Sequence, residues 1–295
     1  MDRLEAMSVL VAIADTGSLS AAGRKLGMPL SSVSRKVSDL EAHLKTRLLT
    51  RTSRQATLTD AGRDYLTACR RILDEIGEAE RAAAGEYAAP RGDLVVTAPI
   101  VFGRLHMLPV VLDFLAAFPD VDIRLFLIDR RVQLVEDHID LALRIGPLAD
   151  SGLKALKIGT MRRVVVASPA YLERRGRPET PADLAAHECI DAAGVRPTSD
   201  WSFGTPIPVR SRLDVNTAEA AVDAAIAGAG LARVLYYQVD RAVKDGQLEV
   251  VLQNYEPELW PISLVHSGQG LVPLKVRAFI DFAGPALRQR LSKIG

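Results

Sequence analysis

Apolar residues recur at helical spacing from Leu4 onward, where Leu4, Met7, Leu10, Val11 and Ala14 share one face and predict an amphipathic helix. Gly17 ends it, Ser18 offers an N-cap, and the stretch Leu19 to Leu26, rich in small residues, predicts a short second helix closed by Gly27. Pro29 opens a third helix at a position where its missing N–H costs nothing. In that helix Val33, Val37, Leu40 and Leu44 fall at i, i+4, i+7 and i+11 and form the stripe to be buried. The opposite face presents Ser31, Ser34, Arg35 and Ser38, with Leu30 at its start. Leu48-Leu49 and Ala56-Thr57-Leu58 then read as two short strands around a polar tip containing Arg51, Ser53 and Arg54, which is the pattern of a wing.

Thr59 is placed to cap a long helix running to about Glu86. Leu66, Cys69, Leu73, Ile76 and Ala83 follow a heptad-like alternation interrupted by Glu80, and Tyr65, Ala68, Ile72 and Ala79 make a second stripe. Two apolar sides require two partners: the winged unit on one and a second subunit on the other. The alternative is burial in a single core, against which the charges between the stripes argue. Ala88-Ala89-Pro90-Arg91-Gly92 ends the helix and marks a domain boundary.

Beyond Asp93 the pattern alternates. LVVTAP, VDIRLFLI, IDLALRIG, RRVVVASP and GLARVL are short apolar runs that predict strands covered on both faces. Leu105 to Phe118, Val132 to Glu136, Pro169 to Arg174, Pro181 to Ala186 and Thr217 to Ala227 predict helices between them, so this part is α/β. The strand Leu94 to Thr97 feeds through Ala98-Pro99-Ile100-Val101-Phe102-Gly103 into a helix whose first N–H groups suit an anion. Asn216, with Glu219 three residues on, has the pattern of a capping box, and serves either as a simple cap or as a second helix start facing the first.

The 295-residue chain is long enough for two or three domains. Its net charge of +1 conceals a local excess, for residues 24–54 hold eight basic against two acidic residues. Such a patch favours phosphate contacts, although a solvated helical hairpin carries similar charge. The order helix, turn, helix, wing favours DNA: small hydroxyls allow close approach, an arginine can grip guanine, and wing arginines reach phosphates or a narrow minor groove. Cys69 and Cys189, far apart among apolar neighbours, read as buried free thiols of a reducing cytoplasm. The N-terminal residues lack a signal-peptide pattern, and no apolar run approaches about 18 residues, so no membrane partner is expected. GxSxG, GxxxxGK[ST] and HExxH are absent, and Gly228-Ala229-Gly230 follows a helix, the reverse of a dinucleotide loop. His187-Glu188-Cys189 holds ligand-type residues, but neighbours on a strand point to opposite faces. No catalytic residue, metal site or cofactor is expected.

The run SLSAAGRKLGMPLSSVSRKVSDLEAHLKTRLLTRTSRQATLTDAG, residues 18–62, resembles the DNA-binding module of LysR-type transcriptional regulators, and the resemblance continues along the rest of the chain. It implies an α/β protein with an N-terminal winged helix-turn-helix (1–62), a linker and dimerisation helix (59–88), and a two-lobed effector domain like periplasmic solute-binding proteins (92–295). Its lobes would be 93–162 with 267–295, and 163–266, with crossings near Met161 and His266. The resemblance places Leu30, Ser31, Ser34, Arg35 and Ser38 on double-stranded DNA, with Arg51 and Arg54 from the wing. It implies two-fold related half-sites, a homodimer assembling to a tetramer, contact with RNA polymerase, and a small-molecule effector in the cleft. Ile100, Val101, Phe102, Arg144, Phe203 and His266 are the effector candidates, although His266 taken alone reads first as a structural histidine. Two departures stand out. Pro29-Leu30 replaces the Ser-Gln pair of many members, and Ile100-Val101 replaces their serine or threonine. A solute-binding protein is the other reading, but it would carry an export signal and no basic module.

Overall fold

The computed structural model describes residues 1–51, 56–83, 89–130, 132–134, 136–148, 152–192, 200–267 and 272–294. The chain divides into two compact units, Met1–Gly92 and Asp93–Gly295.

The first unit contains α1 (Arg3–Thr16), α2 (Leu19–Leu26), α3 (Leu30–Leu44), β1 (Leu49–Arg51), β2 (Ala56–Leu58) and α4 (Asp60–Ala83). Asp2 and Ser18 cap α1 and α2 with their side-chain oxygens, which accept from backbone N–H groups of the first turn. Gly27, at φ 65°, reverses the chain between α2 and α3 in a left-handed conformation that favours glycine. Val9, Leu10, Ile13, Val33, Val37 and Leu40 form a dry core between α1, α2 and α3. β1 and β2 pair antiparallel, Leu49 opposite Leu58. Thr59 caps α4 through Gly62 N–H at 2.9 Å while its hydroxyl donates to Arg47 O at 2.7 Å. Gly62 sits where a Cβ would lie 2.0 Å from Leu48 O, so the start of α4 approaches β1 more closely than any side chain allows.

On α4 the two expected stripes divide along the helix rather than around it. Leu66, Cys69 and Tyr65, near the start, pack into the first unit's own core. Ile72, Leu73 and Ile76, further on, are only half-buried.

The second unit contains two five-stranded sheets. The first is built from β3 (Gly92–Ala98), β4 (Val121–Leu127), β5 (Leu141–Ile145), β6 (Leu153–Met161) and β14 (Trp260–Ser267), in the order β4-β3-β5-β14-β6. The second is built from β7 (Arg163–Ala167), β8 (Cys189–Asp191), β11 (Ser211–Asp214), β12 (Leu231–Leu235) and β13 (Glu249–Val251), in the order β11-β8-β12-β7-β13. β9 (Asp200–Ser202) and β10 (Pro206–Pro208) form a separate hairpin. α5 (Ile100–Phe102), a π-helical turn (Gly103–Met107) and α6 (Leu108–Ala117) run on from β3. α7 (Pro169–Arg175), α8 (Ala218–Ile226), α9 (Tyr236–Lys244) and α10 (Leu274–Leu291) follow, and the segments Pro181–Ala186 and Gln253–Tyr255 form 3₁₀ helices. The segment Ile100–Ala117 is long and apolar enough to cross a membrane by composition, but Phe102, Met107, Val110, Val111 and Phe114 are buried in the core of the first sheet.

Three expectations are corrected here. The helix expected from Leu105 begins at Ile100, five residues earlier, because Pro99 sets its start and Asp129 satisfies the Ile100 N–H. No helix forms across Val132 to Glu136 among the described residues; Val132 and Leu134 are buried beside Val95, Ile139 and Ala142. The second sheet is entered directly after Met161, through Arg162, but it is left between Val251 and Trp260 and not near His266. β14 is hydrogen-bonded between β5 and β6, so residues 260–266 belong to the first sheet. Cross-strand register decides this, and residue patterning does not encode it.

Cys69 and Cys189 are buried free thiols. Burial pushes the Cys69 thiol up to about 11 and the Cys189 thiol up to about 12. An unfolded thiol ionises near pH 8.5, so the unfolded chain gives up these protons first. The stability they contribute is therefore complete below about pH 8.5 and declines as pH rises from there toward 11. In the native protein at pH 8, dithiobis(nitrobenzoate) is expected to label neither thiol, and to label both after denaturation; prompt labelling of native protein contradicts this burial.

Candidate nucleic-acid interface and effector cleft

α3 shows its two faces clearly. Val33, Val37 and Leu40 have no exposed surface, whereas Leu30 is 51% exposed and Ser31, Arg35 and Ser38 are exposed beside half-buried Ser34. No side chain caps α3 at Pro29, whose carbonyl instead accepts from the Ser32 and Val33 N–H groups at 3.0 and 3.1 Å. Glu41, one turn before the end of α3, accepts from Leu48 N–H at 2.8 Å and Leu49 N–H at 3.0 Å. One carboxylate thus ties the helix to the first strand of the wing. Arg51 ends that strand, but its side chain and the whole of Arg54 lie outside the described residues.

The basic excess is smaller in space than in sequence. Lys36 pairs with Glu5, and Lys25 pairs with Asp15 at 3.2 Å, both acids supplied by α1 from outside the 24–54 window. Arg24, Arg35, Lys45 and Arg47 remain exposed on the unit.

In the second unit, parallel β3 and β5 end at Ala98 and Ile145, on the same side of the first sheet as Met161 and Trp260. Parallel β8, β11 and β12 end at Asp191, Asp214 and Leu235, on the same side of the second sheet as Arg163. Only Arg162 separates Met161 from Arg163, so these two strand ends meet, as at a ligand crevice in an α/β fold. Arg162 grips Glu256 of the return segment bidentately, at 2.8 and 2.7 Å, and lies 4.9 Å over the Tyr236 ring. That pair staples the two crossings together.

The expected cleft residues fare unequally. Ile100 is half-buried at the helix start, but its N–H already donates to Asp129 Oδ1 at 3.0 Å. Val101 and Phe102 are buried, and Phe102 packs edge-on against Tyr237 of α9 with centroids 5.4 Å apart, joining the lobes rather than lining an opening. Arg144 donates to Val132 O at 2.6 Å. Phe203 lies under the Arg233 guanidinium, 5.4 Å from its ring centroid. His266 is displaced from this group. It pairs with Leu141 and Lys154, six residues along β14 from Trp260, or roughly 20 Å at strand rise. Asn216 is not the cap of α8; Thr217 is, accepting from Ala220 N–H at 3.3 Å, and no capping box with Glu219 forms.

Residue patterning missed Arg163, Asp191, Trp201, Arg233 and Trp260. Arg233 had a legible signal, a charge inside the apolar run GLARVL. Burial, then the like charge of Arg163, pushes its guanidinium down to about 9, and burial also lowers Arg163. His187 and Glu188 do not point apart, because they precede the strand; both meet the Tyr171 hydroxyl, at 3.1 Å each. Arg175 then joins Glu188, a hydrogen-bonded cluster rather than a metal site. Among the described residues no three His, Cys, Asp or Glu side chains gather as metal ligands.

A winged helix-turn-helix followed by a two-sheet α/β unit defines a DNA-binding regulator with a ligand domain. Residues 4–63 match the bacterial regulatory helix-turn-helix protein, lysR family, and residues 88–288 match the LysR substrate binding domain. The chain belongs to the LysR family of transcriptional regulators, which are not enzymes. It is 36% identical over 283 residues to an HTH-type transcriptional regulator of Xanthomonas campestris pv. campestris, covering 93% of this chain and 82% of that one. It is 32% identical over 287 residues to the HTH-type transcriptional activator AaeR of Escherichia coli K12, covering 95% and 93%. The structure of CrgA, a LysR-type regulator from Neisseria meningitidis, superposes with a TM-score of 0.61 at 30% identity, covering 96% and 98%. Regulators of this type bind DNA through the helix-turn-helix and small-molecule effectors through the substrate-binding domain.

Replacing Glu41 tests the helix-to-wing link. Glu41→Ala is expected to cost about 1–3 kcal/mol in unfolding free energy and to weaken DNA binding, because two buried donors lose their acceptor. Glu41→Gln, which keeps the acceptor oxygen, should recover most of both in calorimetry and mobility shift. Equal behaviour of Glu41→Ala and wild type contradicts the link.

Proposed function

We propose that this protein acts in the cytoplasm as a homodimer, assembling to a tetramer, that binds two-fold related half-sites on promoter DNA. α3 enters the major groove with Leu30, Ser31, Ser34, Arg35 and Ser38 toward the bases and phosphates, and Arg51 and Arg54 follow from the wing into the minor groove. The observation that carries this reading is the exposure of that polar face on a helix whose other face is sealed in the core. Leu30 replaces a hydrogen-bonding side chain with one that touches a thymine methyl, which moves the base preference without moving the helix. The half-buried Ile72, Leu73 and Ile76 of α4 favour self-association there. A second exposed apolar stripe, Leu105, Leu108 and Leu112, offers the effector domain a contact for assembly to the tetramer. An effector between the two sheets shifts the arrangement of the paired DNA-binding units by binding one arrangement better than the other, and so changes access or recruitment of RNA polymerase.

Mobility-shift titration against the DNA flanking its own gene tests the interface. Affinity should fall steeply between about 50 and 200 mM salt, as counterion release requires. Arg35→Ala should lose roughly 1–3 kcal/mol of discrimination against random DNA, the worth of one bidentate base contact. Unchanged selectivity in Arg35→Ala contradicts its role. Leu73→Glu is expected to dissociate the dimer in analytical ultracentrifugation, and an intact dimer contradicts pairing through α4.

A further inference from the structure

The chain has two tryptophans, and each lies against an arginine of the second sheet. Trp260 stacks 4.7 Å from the Arg163 guanidinium, and Trp201 lies 6.0 Å from that of Arg233, with Phe203 at 5.4 Å. Arg163 and Arg233 share a face. Leu235 pairs with Arg163 and Arg233 with Val165, so the two arginines are diagonal neighbours on adjacent strands. Asp191 follows the Ala232–Ile190 pair by one residue and joins the same face, setting one carboxylate against two guanidinium groups. Arg233 Nε is buried without an acceptor. Each guanidinium lies over aromatic carbon, Arg163 at Trp260 and Arg233 at Trp201 and Phe203, and its forked N–H donors match a planar acceptor such as a carboxylate.

Across the crossing, the helix start at Ile100 is differently disposed. Its N–H is held by Asp129, so a second anion there meets a carboxylate already in place. Trp260, from the first sheet, brings the arginine cluster to the junction of the lobes.

We propose that this regulator binds a small organic carboxylate, gripped by the edges of Arg233 and Arg163 on the second sheet rather than by the helix start at Ile100. The inference rests on the effector-regulated reading above and gives the effector its chemical class. A bound carboxylate supplies the acceptor that Arg233 Nε lacks and relieves the repulsion between the two like charges.

Because both tryptophans belong to the cluster, their fluorescence in the full-length protein reports binding. The probes are acetate, succinate and benzoate against acetamide, succinamide and benzamide, at constant ionic strength set with chloride. At least one carboxylate should give a saturable change, with no response to its amide. Arg233→Gln should weaken that binding at least tenfold, and Arg233→Lys should fall between, keeping the charge but losing the fork. Thermal unfolding reports whether each variant is folded; if Arg233→Gln is not, Arg233→Lys and Arg163→Lys decide. The site is overturned if no carboxylate saturates, if an amide binds as tightly, or if the folded variants bind like wild type. DNA selectivity measured on the same preparation separates the two claims. Selective DNA binding without carboxylate binding overturns the carboxylate site alone, whereas absence of DNA selectivity overturns the regulator reading beneath it.

Discussion

Burial of Val33, Val37 and Leu40 against the core of α1 and α2 sets the rotation of α3 about its own axis. Each of these side chains contributes about 1.5–3 kcal/mol when fully removed from water, so a rotation that exposed them would cost several kcal/mol. That constraint holds Leu30, Ser31, Arg35 and Ser38 outward without any help from a ligand. Glu41 then extends the constraint to the wing by holding Leu48 and Leu49, while Thr59 and Gly62 bring α4 against the same strand. The helix, the base of the wing and the start of the long helix become one rigid surface. A reader of DNA needs that property, because base edges are recognised only when donors are already placed.

The second unit solves a different problem. Each sheet has its own core, with Phe114 and Phe279 packed under the first and Val164, Val166 and Ile190 under the second. The strand ends are thereby left for recognition. The two crossings, held by Arg162 and Glu256, bring those ends together. Phe102 and Tyr237 add an apolar contact between the lobes. Among the described residues, three polar atoms buried without partners lie at or beside this junction: Arg233 Nε near the end of β12, Glu219 Oε2 in the first turn of α8, and His106 Nε2 beside Phe102 and Tyr237. Unmet polar demand of that kind is expensive in a finished core and useful where a ligand is to arrive.

Much of the first unit was legible because its information is local. Periodicity placed α1, α2, α3 and both wing strands within a residue or two, and Ser18 and Thr59 cap where their chemistry suggests. Thr217 rather than Asn216 caps α8, a shift of one residue that the similar chemistry of the two side chains concealed. Long-range pairing was not legible. β14 lies between β5 and β6, which come about a hundred residues earlier in the chain, and a crossing near His266 was therefore not the one the fold uses. Charge had the same limit: the acids that meet Lys25 and Lys36 come from α1, outside the basic window. The arginine cluster assembles from β7, β12 and the β9–β10 hairpin, so only the odd placement of Arg233 in an apolar strand pointed toward it.

On the proposed reading, α3 and the wing recognise DNA as a symmetric pair. Selection from a random double-stranded pool with the full-length protein tests it most directly. Enrichment of one motif in two inverted half-sites about 10 base pairs apart, or a multiple of that spacing, is the predicted result. A pool that stays random after repeated rounds, at a salt concentration where the protein still retains DNA, would contradict it.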